Sequence, residues 1–307
     1  MTEIVNYLES VKKFWNTDAC SSYEIKEFSD KQDFYKKYRE FRYRVIGYIL
    51  FWAPFSETKG KSVLEIGCGN GADGVMFAMN GANYTGVDLT QTAVNATKEH
   101  FGLLGLQGNF KIDNAEQLSF ADETFDYVYS FGVLHHTPSP QQALNEVYRV
   151  LRSNGKAIIM LYYRQSFNYF VRIMLYMRMK VFLKILSRVG NWNADSEKVA
   201  GEPMVGLRGN QNNLIWDIHY KNFLKVGWNY FKAKNFVNHC TDGPECPIAY
   251  VFSKEDIRKM FSGFKVIEME VRHFPLRRYR LLQWLPLRIE KYLGSFLGWH
   301  LLVIATK

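Results

Sequence analysis

Val63, Leu64 and Ile66 make a short apolar run, and Gly67, Gly69 and Gly71 follow it at alternate positions. Glycines spaced this way end a strand, turn the chain sharply and bring bare backbone close to a ligand before a helix begins. Gly69, Gly71 and Gly74 also fit the G-x-G-x-x-G spacing of a dinucleotide turn, so a nicotinamide or flavin cofactor must be weighed. Glu65 argues against it. A pyrophosphate needs amides and no nearby carboxylate, whereas an acid at a strand end suits a cation such as the ammonium of a methionine moiety. The next strand ends at Asp88, about 20 residues on, the usual offset for a carboxylate that accepts both ribose hydroxyls. Asp88 alone does not discriminate, because both kinds of cofactor carry a ribose.

Two further sets of residues could do proton chemistry. His135 and His136 follow an apolar run, and either could titrate near neutral pH. His239 and Asp242 are spaced to pair as a base with an orienting carboxylate, in a stretch rich in Gly and Pro that is expected to be non-helical from Asn238 to Tyr250. Cys240 and Cys246 lie in the same stretch, yet without a second Cys or His pair they make no structural zinc set, and no metal is expected.

Four motifs then resemble the class I S-adenosylmethionine-dependent methyltransferases. They are Val63 to Gly71, Gly86 to Thr90, Asn114 to Phe120, and Tyr129 to Thr137, in that order. The resemblance implies an α/β, Rossmann-like seven-stranded methyltransferase sheet, mostly parallel with the last strand antiparallel. It implies S-adenosyl-L-methionine as cofactor and S-adenosylhomocysteine as product. The cofactor residues it implies are Glu65, Gly67, Cys68, Gly69, Asn70, Gly71, Asp88 and Leu89, then Asp113, Asn114 and Ala115, then Ser130, Phe131, Gly132 and His135. The family commonly has Gly-Asp-Ala-Glu at the adenine end, where this chain reads Asp113-Asn114-Ala115-Glu116. The Asn114 amide oxygen can accept the same hydrogen bond, and Asp113 is the alternative.

The elements that must position these groups divide the chain at 1–56, 57–163, 164–252 and 253–307. Residues 1–56 show helical spacing and many aromatics, with Tyr35, Tyr38 and Tyr43 as contacts of a lid over the cofactor. From Ser62 to Tyr163 strand and helix signals alternate, as a parallel sheet requires, and Ser139, Pro140 and Gln142 open the clearest helix. Residues 164–252 are too many for a loop and are expected to form a helical cap that selects the acceptor. Ser253 and Asp256 then cap a helix, and Phe264–Arg272 and His300–Ala305 are expected to pair as antiparallel strands at the sheet edge.

With 307 residues and 47% hydrophobic content, a sizeable core is available. No uninterrupted apolar run reaches membrane-spanning length and no apolar leader is visible, so a soluble, cytoplasmic protein is expected. Four scattered cysteines give no disulfide framework. The net charge of +9 favours acidic partners. Arg164 to Gly190 carries six basic residues, no acid and many apolar ones, which suits a cap helix, a weak membrane-surface contact or a homodimer contact; no nucleic-acid module is present.

The expected reaction is methyl transfer to a small-molecule acceptor, oxygen or nitrogen favoured. His239, with Asp242, or His135 would take a proton, and Tyr163 would assist. Tyr35, Tyr38, Tyr162, Cys246 and Tyr250 would touch the acceptor. The alternatives are a small thiol or an arsenical held by Cys20, Cys240 or Cys246, and a non-catalytic cofactor sensor or scaffold.

Overall fold

The computed structural model describes residues 2–17, 22–188, 212–274, 284 and 286–307. Helix α1 spans Thr2–Thr17, α2 Lys31–Val45 and α3 Ile49–Trp52. The sheet follows: β1 Ser62–Ile66, α4 Ala72–Met79, β2 Asn83–Asp88, α5 Gln91–Leu103, β3 Asn109–Ile112, β4 Phe125–Phe131, α6 Pro140–Val150 and β5 Leu151–Tyr162. The chain then leaves the sheet through a π-helix, Asn168–Met177, and helices α7 Arg178–Arg188, α8 Asn212–Val226 and α9 Ala233–Thr241. It returns as α10 Lys254–Met260, β6 Val266–Arg272, α11 Leu287–Leu297 and β7 His300–Thr306.

The seven strands lie in the order β3-β2-β1-β4-β5-β7-β6. β1 to β5 are parallel, and β7 is antiparallel to both its neighbours, β5 and β6. The antiparallel closing pair and the helical character of the insertion are as the sequence suggests. Val63, Leu64, Val128 and Ile158 are fully buried because helices cover both faces, which is why the inner strands read as continuous apolar runs. Strand order reverses between β1 and β4, so their C-terminal ends open the crevice where such sheets hold ligands.

Helix boundaries follow local chemistry. The Ser139 side chain accepts from Gln142 N with Pro140 in the first turn, and Ser253 and Asp256 close a reciprocal capping box. The insertion starts and ends at one point of the sheet: Arg164 N donates to Phe252 O at 2.9 Å and Phe252 N to Tyr162 O at 2.8 Å. One expectation needs correcting. α9 runs through Asn238, His239 and Cys240 to Thr241, because Gly243, Pro244 and Pro247 act only beyond it. Cys20, expected as one holder of a soft acceptor, lies outside the described residues.

Candidate functional site

β1 delivers the glycine turn. Gly67, Gly69 and Gly71 have φ of +79°, +53° and +73°, which L side chains rarely adopt. A Cβ on Gly67 would stand 2.2 Å from Val133 Cγ2, so the turn and the β4 loop touch backbone to side chain with no room to spare. α5 fixes the turn from below. Thr97 Oγ1 donates to Gly69 O at 2.9 Å, and His100 Nδ1 donates to Asn70 O at 2.8 Å. Burial lowers the His100 pKa to about 4, so this imidazole is neutral. Cys68 is buried, and Leu89 is half-buried.

Asp88 closes β2 beside this turn. Its Oδ1 accepts from Thr90 N at 3.0 Å and Thr90 Oγ1 at 2.9 Å, and its Oδ2 accepts from Gly69 N at 3.3 Å. Burial raises its pKa against those donors. Bare left-handed backbone with an acid across it is the arrangement an adenosyl ligand needs: room for the chain's amides and acceptors for the ribose hydroxyls. Glu65 does not present the free anion expected for an ammonium. It is 4% exposed, its Oε2 accepts from Tyr84 OH at 2.6 Å, and burial together with the neighbouring Asp73 pushes its pKa up to about 8.

Asp73 is the group that sequence reasoning overlooked. It sits in the first turn of α4, 2% exposed, and accepts from Tyr129 OH at 2.7 Å, Tyr43 OH at 3.1 Å and the Nε and Nη2 edge of the Arg42 guanidinium. Arg42 also lies over the Phe131 ring at 5.0 Å. α2 is therefore bolted to the start of α4 by a forked ion pair. Tyr35, expected to face an acceptor, instead stacks on His100 at 4.4 Å and donates to Glu99 at 2.7 Å, while Tyr38 is buried against Phe34. Both rings serve helix packing.

At the end of β3, Asp113 accepts from Asn114 N at 3.0 Å and Ser119 N at 3.0 Å, and Asn114 Oδ1 accepts from Glu116 N at 3.0 Å. Both side-chain acceptors are thus used to shape the turn, with Ala115 buried beneath it.

β4 and the turn after it carry the ionisable groups. Ser130 Oγ donates to Ile66 O at 3.1 Å, Phe131 is half-buried, and Gly132 has φ of +80°. The His135 ring is fully buried, neither of its nitrogens meets a hydrogen-bond partner, and Tyr162 lies 3.8 Å from it, centroid to centroid. Burial, then the adjacent His136, holds His135 well below the usual imidazole pKa, so it is neutral. Tyr250 N binds the His135 carbonyl at 2.9 Å, and Tyr250 OH donates to Pro138 O at 3.3 Å.

His136 has the opposite character. Its Nδ1 donates to Ile248 O at 2.8 Å, and its Nε2 lies 3.2 Å from Asp242 Oδ2. Burial opposes its charge, but Cys246 and Asp242 beside it raise its pKa to about 10. Asp242 also accepts from Tyr162 OH at 3.0 Å. The Asp242 carboxylate therefore serves His136, and the expected pair with His239 does not form. His239 Nδ1 donates to Pro244 O at 2.7 Å instead, and its ring stacks on Tyr230 at 5.1 Å, because it points along α9 into the cap. Tyr163 is also removed from this cluster: successive strand residues face opposite ways, and it packs with Phe252 and Ile257 in a different core cluster from Tyr162.

Ligand-type atoms of His136, Asp242 and Cys246 lie within 4.8 Å of one another. As an imidazolium that gives one proton to Ile248 O and faces Asp242 with the other, His136 offers no lone pair to a metal, and the set is read as a buried ion pair. Cys240 and Cys246 are buried, with Cys246 Sγ 3.8 Å from His136 Nδ1. Neither thiol is placed to hold an exposed soft substrate.

The methyltransferase domain family matches residues 64–159, the span from the glycine turn through most of β5. Residues 64–159 are thus similar to a methyltransferase domain, and the seven-stranded order with its antiparallel closing strand agrees with that likeness. The chain is 32% identical over 98 residues to a ubiquinone biosynthesis O-methyltransferase of Coxiella burnetii, covering 32% of this chain and 42% of that protein. It is 41% identical over 98 residues to a phthiotriol/phenolphthiotriol dimycocerosates methyltransferase of Mycobacterium tuberculosis, covering 31% and 36%. The matched segment thus spans about two fifths of those relatives. A chain of the complex containing the Haloferax volcanii Trm112 methyltransferase activator aligns over 89% of this chain and 92% of its own, with TM-score 0.50 and 14% identity, a likeness of fold. S-adenosylmethionine is the cofactor this domain implies, and the glycine turn with Asp88 fits it.

Proposed function

We propose that the chain transfers a methyl group from S-adenosylmethionine to a small-molecule acceptor, oxygen or nitrogen favoured. The observation that carries the reading is a fully buried, neutral His135 with two unpartnered nitrogens in the turn after β4, the turn whose Val133 packs on Gly67. When bound, the cofactor supplies an electrophilic methyl on a sulfonium. Asp88 takes the ribose hydroxyls. The turn at Gly67, Gly69 and Gly71 gives backbone close approach, and Phe131 and Gly132 border the reacting end. His135 holds or takes the proton that an oxygen acceptor loses, from within hydrogen-bond reach of a ligand beside Tyr162. Asp242 fixes Tyr162 through its hydroxyl, so the ring that faces His135 keeps one orientation. The rest is alignment of acceptor and donor, which a displacement at a methyl chiefly requires. The residues 164–252 exclude water and select the acceptor. A relative named as an O-methyltransferase supports oxygen.

The test is S-adenosylhomocysteine release against phenols, carboxylates, amines, small thiols and arsenite. Turnover with a phenol, acid or amine that His135→Ala lowers about 100-fold supports the reading, since a positioned base contributes about that much. Turnover with thiols or arsenite alone overturns the acceptor preference, and cofactor binding without turnover favours a sensor.

A further inference from the structure

The cap helices are apolar on two sides. Ile173, Met177, Val181 and Ile185 recur every four residues and are buried against the cap core. Val171, Leu175, Met179, Phe182 and Leu186 recur at helical spacing on another face and are exposed, Leu175 at 63%. Phe170, Tyr176 and Leu183 widen that strip. A helix in a water-soluble protein keeps one apolar face; a second one has a partner.

The same surface continues on two other elements. Leu224, Val226 and Trp228, the last 67% exposed, stand at the end of α8, which packs on α7. Leu287, Ile289, Tyr292 and Phe296 are exposed on α11. Phe274 joins the two regions: its ring lies 5.3 Å from Phe167, at the start of the π-helix, and it lines Gly294 of α11 at 3.5 Å from the position of a Cβ.

Charge decides what fits there. Lys180 is exposed on these helices, as are Lys225, Lys232 and Lys234 on the neighbouring cap elements and Arg288 and Lys291 on α11. Among the described residues from Arg164 to Thr241, Asp217 is the only acid, and Lys184 binds it at 2.6 Å. Two copies of so basic a face repel each other, whereas an anionic sheet of lipid headgroups satisfies the ammonium groups while its acyl region takes the leucines and aromatics. We propose that the exposed strip of the π-helix and α7, with the basic residues around it, docks the protein in the plane of an anionic phospholipid surface. No described helix is long and apolar enough to cross a membrane, so this is contact and not insertion through the bilayer. The proposal is independent of the reaction and of the acceptor.

The experiment is vesicle co-sedimentation of the full chain, read as the partition coefficient. Vesicles of phosphatidylglycerol with phosphatidylcholine are compared with phosphatidylcholine alone, at low and at high salt. The variants are L175D/L183D and K180E/K225E, all at exposed positions, with circular dichroism to show that each remains folded. Binding to the anionic vesicles, weakened at least about tenfold by either pair and by salt, is the expected result. Equal binding by the wild type and by folded variants overturns it, as does no binding to anionic vesicles. A dimer in light scattering that L175D/L183D dissolves, without vesicle binding, assigns the strip to a second copy and also overturns it.

Discussion

His136 keeps a charge in a sealed position because Cys246 and the Asp242 carboxylate stand beside its ring and outweigh burial, while its Nδ1 donates to the Ile248 carbonyl. Its pKa is about 10 in the fold against 6.5 for a free imidazole. The stabilisation this represents is complete below pH 6.5 and is lost as pH rises through about 10. The expected outcome is a thermal midpoint that declines over that window, with a flatter decline in Asp242→Asn. Removing one partner of a buried pair also costs about 3 kcal/mol, to be read from urea unfolding near pH 6.5. Parallel pH slopes in both proteins would contradict this account. Asp88→Ala, by contrast, is expected to leave the fold intact and to weaken S-adenosylmethionine binding about 30-fold in calorimetry, the scale of lost hydrogen bonds to a charged group. Unchanged affinity would show the cofactor site to lie elsewhere. Asp88 and the three glycines were legible because a turn and a strand end are local features of sequence. Asp242 was misassigned to His239 because its true partner lies in the β4 turn, far away along the chain, and spacing carries no trace of such a meeting.

Helix α2 reaches the start of α4 through a partly buried ion pair. Arg42 and Asp73 tie it to the first turn of α4, directly after the glycine turn, so the position of the N-terminal helices is coupled to the shape of the cofactor cradle. Asp73→Asn leaves a largely enclosed guanidinium without its anion, and a loss of about 3 kcal/mol is expected in denaturant unfolding, with Arg42→Met rescuing part of it in a double-mutant cycle. Additive losses would show that the pair is incidental. Gly74→Ala tests the packing of α4 on the sheet: its Cβ would stand 2.4 Å from Tyr84 Oη and 2.9 Å from Glu65 Oε2. Crowding in so closed a core costs about 1–3 kcal/mol, measurable as a lower urea midpoint. Among elements, the sheet strands and the helices that cover them could be read from alternation of apolar runs and caps. The cap could be read only as helical. Its π-helical start depends on which carbonyl each amide finds, and the mostly apolar stretch Phe170 to Leu175, broken only by Arg172, suits several such registers.

The molecule as a whole joins a sheet whose ligand crevice is set by topology to a cap whose contents are not. Ligand that binds the folded chain alone stabilises it by mass action, so S-adenosylmethionine at 100 times its dissociation constant is expected to add about 2.7 kcal/mol, seen as a higher thermal midpoint that Asp88→Ala reduces. The two halves meet the sheet differently. Everything between Arg164 and Phe252 leaves and rejoins at the end of β5, through hydrogen bonds of 2.9 and 2.8 Å between adjacent strand ends. Closing a chain excursion of twice the length at such a point costs only about 0.6 kcal/mol more. A lineage could therefore exchange that whole excursion as a cassette, trading one acceptor or docking surface for another, while the sheet beneath it keeps its register and its grip on the cofactor.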